Sequence, residues 1–193
     1  MADQEQIDID TLLDMPAPER SRTGRASALA RLLHQDCTHL LELYRERESL
    51  LSDHTPAGDR IVSLSLSSPD LSSDEQVQLL HSALRKCSGL LECLILREEE
   101  EMGELEGEYE TARKSVRDRL GHLLHSTKVL LETDEDVTPD HQCDEEVDGV
   151  VGTFGAKMWT YRVLLELTHW ADSASQTLHV LHSEREGKEE EEI

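Results

Sequence analysis

Aromatic side chains are scarce in this chain: two tryptophans, three tyrosines and one phenylalanine among 193 residues. Four of them (Phe154, Trp159, Tyr161 and Trp170) fall in one stretch, FGAKMWTYRVLLELTHW. A core alone would spread so few rings along the chain, so the crowding predicts that part of this stretch faces another protein. Basic residues are also in short supply. Nineteen Lys and Arg stand against 42 Asp and Glu, a net charge of -23. Such a chain repels phosphate backbones and anionic lipid, which argues against nucleic-acid and membrane-surface partners. No stretch approaches the roughly 18 to 20 consecutive apolar residues of a membrane span. The opening MADQEQIDIDTLLDMPAPERSRTG has neither a basic start nor an apolar run, so it does not read as a secretory signal. Either the protein stays inside the cell or it leaves by another route.

Four cysteines (Cys37, Cys87, Cys93 and Cys143) are too few and too scattered for a disulfide scaffold. Cys87 and Cys93 are six apart, on different faces of one helix, and are poor partners for each other. Without a signal peptide, free thiols are expected. Cys87 keeps phase with a leucine stripe and reads as a small core hydrophobe.

What is present is helical period. One block, 26–52, carries Leu29, Leu33, Cys37, Leu40 and Tyr44 on one face. A second, 74–101, opens on SSDEQ, where Ser73 and Gln76 have capping-box spacing. It continues as a heptad-like seam of Val77, Leu80, Leu84, Cys87, Leu91 and Leu94. The third, 104–132, carries Leu105, Tyr109, Ala112, Val116, Leu120, Leu123, Thr127 and Leu130. The fourth, 153–183, carries Leu164, Leu167, Ala171, Ala174, Leu178 and Leu181. Strand-like alternation is confined to RIVSLSLSS, so the class is all-α. Residues 1–23 are expected to be a flexible lead-in and 184–193 a disordered acidic tail.

The joints define the topology. About twenty residues separate the first two helices and about seventeen the last two, reaching about 55 to 65 Å when extended. Each helix is roughly 38 Å long, so either joint can travel the whole bundle and start the next helix in the same direction. Between the second and third lies only EEEEMGELEG, where adjacent acids repel and two glycines weaken the helix. An unbroken helix from 74 to 132 would run roughly 88 Å, so the chain should turn near Gly103. Long, short, long gives a long-chain four-helix bundle with up-up-down-down topology and two crossover loops.

Catalytic chemistry is thin. No glycine-rich phosphate loop or nucleophile elbow occurs. A di-metal carboxylate bundle needs two Glu-x-x-His pairs and two further inward glutamates. The chain offers Glu166 with His169, and Asp36 with His39. Glu166 is out of phase with the leucine face and is expected to point to water. His122 with His125, and His179 with His182, read as surface residues. No catalytic, cofactor or metal site is assigned.

The start of the fourth helix is different. Phe154 and Lys157 are three apart and share a face. Thr153 as N-cap would place Lys157 in the first turn, where a cation opposes the helix dipole. The leucine phase, carried backward, passes through Thr160 to Lys157. A lysine fits poorly in a core, so this end is expected to project beyond the bundle as an anchor for a partner's pocket.

The pattern Phe154-x-x-Lys157-x-Trp159-x-x-x-Val163-Leu164-x-Glu166-Leu167-x-x-Trp170 closely resembles the fourth helix of the ciliary neurotrophic factor and cardiotrophin group of interleukin-6-type cytokines. LARLLHQDCTHLLELYRERESLL is similar to that group's first helix, and LSSDEQVQLLHSAL to the opening of its second. The resemblance implies a monomeric cytokine, released without a classical signal peptide, that clusters cell-surface receptors and triggers JAK-STAT signalling. It assigns Phe154 and Lys157 to the leukaemia inhibitory factor receptor. It assigns Lys114 and Asp118 to the shared signalling glycoprotein. The tryptophan and late arginines that the family uses for its alpha receptor are absent: Ser68 lies near the first position, and no arginine follows Arg162 until Arg185. The competing expectation is a cytosolic helical scaffold, suggested by the missing signal and the seam at 77–94.

Overall fold

The computed structural model describes residues 19–48, 70–103, 106–132 and 152–191. Four helices account for nearly all of them: α1 (Glu19–Arg47), α2 (Ser73–Met102), α3 (Glu108–Leu131) and α4 (Gly152–Glu191). No strand occurs among the described residues. Both crossover segments, RIVSLSLSS and Ser68 lie outside them.

Helix ends follow local chemistry. The N-cap of α2 is Ser72, one residue before the expected Ser73. Its hydroxyl accepts from the Glu75 N–H at 3.2 Å, and the Glu75 carboxylate accepts from the Ser72 N–H at 3.2 Å. A carboxylate there also meets the positive end of the helix dipole, which the Gln76 amide cannot match. At the far end the chain breaks at Gly103, with φ 72° and ψ −170°, its N–H donating to the Glu99 carbonyl at 2.8 Å. The turn falls where the glycines and the acid run place it. α3 restarts after Gly107, whose N–H donates to the Glu110 carboxylate at 3.0 Å.

Other bounds differ from expectation. α1 begins at Glu19, seven residues before 26, and α4 runs on to Glu191, past 183. The added segments, ERSRTGR and SEREGKEEE, are rich in strong helix formers, and Glu184 to Lys188 is a favourable i,i+4 spacing. The N-terminal extension is held by burial of Thr23 and by Gly24 against the His182 ring; the acidic C-terminal one continues a helix already nucleated by packing.

Cross-helix contacts fix direction. Along α1 and α4, Gly24 lies against the His182 ring while Tyr44 bonds to Lys157 and Arg45 to Tyr161. Asp36 of α1 pairs with Arg119 of α3, and Arg47 lies over Tyr109. Between α2 and α3, His81 meets Thr127, Glu92 meets Arg117 and Glu98 meets Arg113. In all three pairings low numbers on one helix meet high numbers on the other, so each pair is antiparallel. α1 and α2 therefore point one way and α3 and α4 the other, which is up-up-down-down.

The core is one leucine-rich cluster to which every helix contributes. Val77, Leu80, Leu84, Cys87, Leu91 and Leu94 all belong to it. The seam that suggested an external coiled-coil partner is thus consumed inside the bundle. A polar pair is buried with it: the Thr127 hydroxyl lies 2.6 Å from His81 Nδ1 and 3.0 Å from the Leu124 carbonyl. Cys37 and Cys87 are buried thiols outside any disulfide, and burial followed by the Asp36 charge pushes the Cys37 thiol far up. Cys93 is disulfide-bonded, which corrects the expectation of free thiols at that position. Cys143 lies outside the described residues.

Candidate functional site

α4 buries two stripes, not one. Leucine spacing marks Leu164, Leu167, Ala171, Ala174, Leu178 and Leu181. Trp159, Val163, Glu166 and Trp170, spaced four, three and four apart, form a second buried line. Glu166 is therefore 6% exposed, against the expectation that it faces water. α4 packs against both α1 and α2, so positions out of phase with one neighbour are in phase with the other.

The aromatic crowding in α4 has the same cause. Trp159, Tyr161 and Trp170 are all core residues, so three of the four rings in this stretch serve the bundle itself. Tyr161 stacks on Tyr44 at 6.3 Å, and Tyr44 in turn meets Tyr109 at 6.1 Å. Rings distant in sequence thus gather at one end of the bundle, where α1 and α2 finish and α3 and α4 begin.

Arginines interleave with these rings. The Arg47 guanidinium lies 4.2 Å from the Tyr109 centroid and 5.2 Å from that of Tyr44. Arg45 donates to the Tyr161 hydroxyl at 3.0 Å, and Arg97 lies over Trp159 at 5.5 Å. Glu98, itself buried, accepts from Tyr109 Oη at 3.0 Å, Arg113 at 3.0 Å and Arg47 at 3.2 Å. Burial, then the Glu48 charge, raises the Tyr44 phenol, while burial and Glu98 raise that of Tyr109. Burial alone would lower Arg47, but Tyr109, Glu98 and Glu48 outweigh it and its guanidinium is held more firmly protonated.

Lys157 sits on the rim of this corner. Its carbonyl accepts from the Tyr44 hydroxyl at 2.9 Å, and its ammonium pairs with Glu48 at 2.7 Å. About half of its side chain remains exposed, 49% against 16% for Glu48. A cavity of about 100 Å³ opens beside it, lined in part by Arg97, Glu101 and Thr160. α4 is already helical at Gly152, so Thr153 is inside the helix and not its cap, and Lys157 lies in the second turn, where the dipole penalty is small. The neighbouring Trp159, Thr160 and Tyr161 are buried, so this end is docked against α1 and does not project past the bundle. Phe154 lies on the first turn of α4, and its side chain is outside the described residues.

Lys114 and Asp118 are exposed, one turn apart on α3. They line a groove of about 530 Å³ between α2 and α3, floored by Ile95 and flanked by Glu99, Glu110 and Arg117. Asp36 is taken by Arg119 at 2.6 Å, and His169 stands edge-on to Trp170. His122, His125 and His179 are exposed and His182 is half-buried. Among the described residues no three His, Cys, Asp or Glu side chains gather as a metal site requires.

An all-α bundle with two parallel helices answered by two antiparallel ones, joined by two long crossovers, is the architecture of the long-chain helical cytokines. The family model of ciliary neurotrophic factor matches residues 12–191, and the chain belongs to that family, a family of interleukin-6-type cytokines and not of enzymes. No curated protein sequence matches it directly. No helix among the described residues is long and apolar enough to cross a membrane.

Proposed function

We propose that this chain is a secreted monomeric cytokine that joins the leukaemia inhibitory factor receptor to the shared signalling glycoprotein and so triggers JAK-STAT signalling. The corner where α1 ends and α4 begins is the face for the first receptor. Phe154 supplies an apolar anchor and Lys157 an ammonium that keeps donors free for an acceptor on the receptor. The observation that carries this reading is the half-exposed Lys157, paired with Glu48 and three residues from Phe154, in a chain of the ciliary neurotrophic factor family. Lys114 and Asp118, exposed on α3, form part of the face for the shared chain.

A disulfide at Cys93 suits work in an oxidising space outside the cell. An alpha receptor, if engaged, uses contacts other than the tryptophan and late arginines that this sequence lacks.

The test is the double variant Phe154→Ala and Lys157→Ala. It should keep its far-ultraviolet circular dichroism and melting temperature, yet lose binding to the leukaemia inhibitory factor receptor ectodomain by 100-fold or more, about 2.7 kcal/mol. Undiminished binding by a folded double variant overturns the assignment.

A further inference from the structure

Lys157 is gripped from two directions by the end of α1, although the two residues that hold it are far away in sequence. Glu48 is the first residue after α1, kept in the turn by its N–H bond to the Tyr44 carbonyl at 3.0 Å. Its side chain is only 16% exposed, and its carboxylate is clasped on both sides. One oxygen meets Lys157 Nζ at 2.7 Å and the other Arg47 Nε at 3.3 Å. Arg47 is fixed in turn by Glu98 and the Tyr109 face. Charge contacts therefore run without a break from the buried Glu98 outward to the exposed ammonium: Glu98, Arg47, Glu48, Lys157. Tyr44 secures the backbone of the same lysine.

We propose that Glu48 is the positioning residue for Lys157, holding the ammonium in its receptor-ready place before the receptor arrives. This rests on the reading of Lys157 as a receptor contact. A lysine stem left to itself samples many rotamers, and ordering it at an interface weakens binding. An ammonium has three donors. Glu48 occupies one side of it and leaves the exposed side for an oxygen acceptor on the receptor. The corner thus spends its ordering cost during folding, and Glu48 contributes to affinity without touching the partner.

A double-mutant cycle on the full chain separates this role from simple structural support. Binding to the leukaemia inhibitory factor receptor ectodomain is measured for the parent, Glu48→Gln, Lys157→Ala and the combined variant. Glu48→Gln should weaken binding about fivefold, the size of one side chain's ordering cost. The loss should appear chiefly as faster dissociation. In the Lys157→Ala background the same change should do nothing further. Equal losses in both backgrounds, no loss, or tighter binding overturn the proposal. A Lys157→Ala variant that binds like the parent instead overturns the site assignment beneath it. A measurement on the unaltered protein stands beside these. Nitrogen-15 relaxation of the lysine ammonium groups should show Lys157 markedly less mobile than exposed Lys114, and equal mobility counts against Glu48 as its holder.

Discussion

Glu98 takes three hydrogen bonds on its two oxygens, from Tyr109, Arg113 and Arg47, and is almost wholly shielded from water. A buried carboxylate is tolerable only when its lone pairs are met this fully, and the partners depend on it equally. Arg113 is as buried as Tyr109, so removing Glu98 would strand a cation in the interior. Glu98→Ala should cost about 3 kcal/mol, the lower end of the usual range because Arg47 keeps some access to water. Urea unfolding midpoints measure it. Nothing in the sequence singled Glu98 out: it opens a run of four acids, REEEE, and the period of the leucines stops just before it. What selects it is the meeting of Arg47, Tyr109 and Arg113 from two other helices, and that is a property of the assembled bundle.

Among the elements, the break between α2 and α3 rests on one residue. Gly103 adopts φ 72° with ψ −170°, a region open essentially only to glycine, and a Cβ there would meet nothing within 4 Å. The cost of Gly103→Ala is therefore backbone strain alone, about 1–3 kcal/mol. A matching fall in thermal stability, with the helix content of the folded state unchanged, is the expected result. That this joint lies near Gly103 was legible beforehand, because acids that repel and glycines that weaken a helix act locally. The face of α4 was legible only in half. Leucines revealed the stripe toward one neighbour, but the second stripe is written in Trp159, Val163, Glu166 and Trp170, a mixture that no single hydrophobic period picks out. Glu166 escapes the leucine period for that reason, and so do the two tryptophans that share its stripe.

For the molecule as a whole, four buried blocks and the lengths of their connections were enough to derive the up-up-down-down arrangement, since helix rise and chain reach are geometric constants. The corner around Lys157 was legible as a place but not as a construction, because Tyr44, Glu48 and Arg47 gave no hint that they would meet it. Burial also has a pH signature. Tyr44 and Tyr109 are held above the ordinary phenol value near 10, and Cys37 above the ordinary thiol value near 8.5. The folded chain keeps these protons where the unfolded chain releases them, so their stabilisation is complete below about pH 8.5 and drains away as pH rises past those ordinary values. Melting temperature should begin to fall near pH 9 and fall more steeply beyond about pH 10. Phenolate absorbance from Tyr44 and Tyr109 should appear only with unfolding.

The bond from the Tyr44 hydroxyl to the Lys157 carbonyl joins positions 113 residues apart. The corner proposed as the receptor face therefore has no local precursor: neither half of the chain, synthesised or cleaved on its own, carries a weaker version of it. Competence to engage a receptor arrives in one step, when the last helix docks on the first. A single proteolytic cut that frees α4 should silence the protein outright, leaving no partly active fragment.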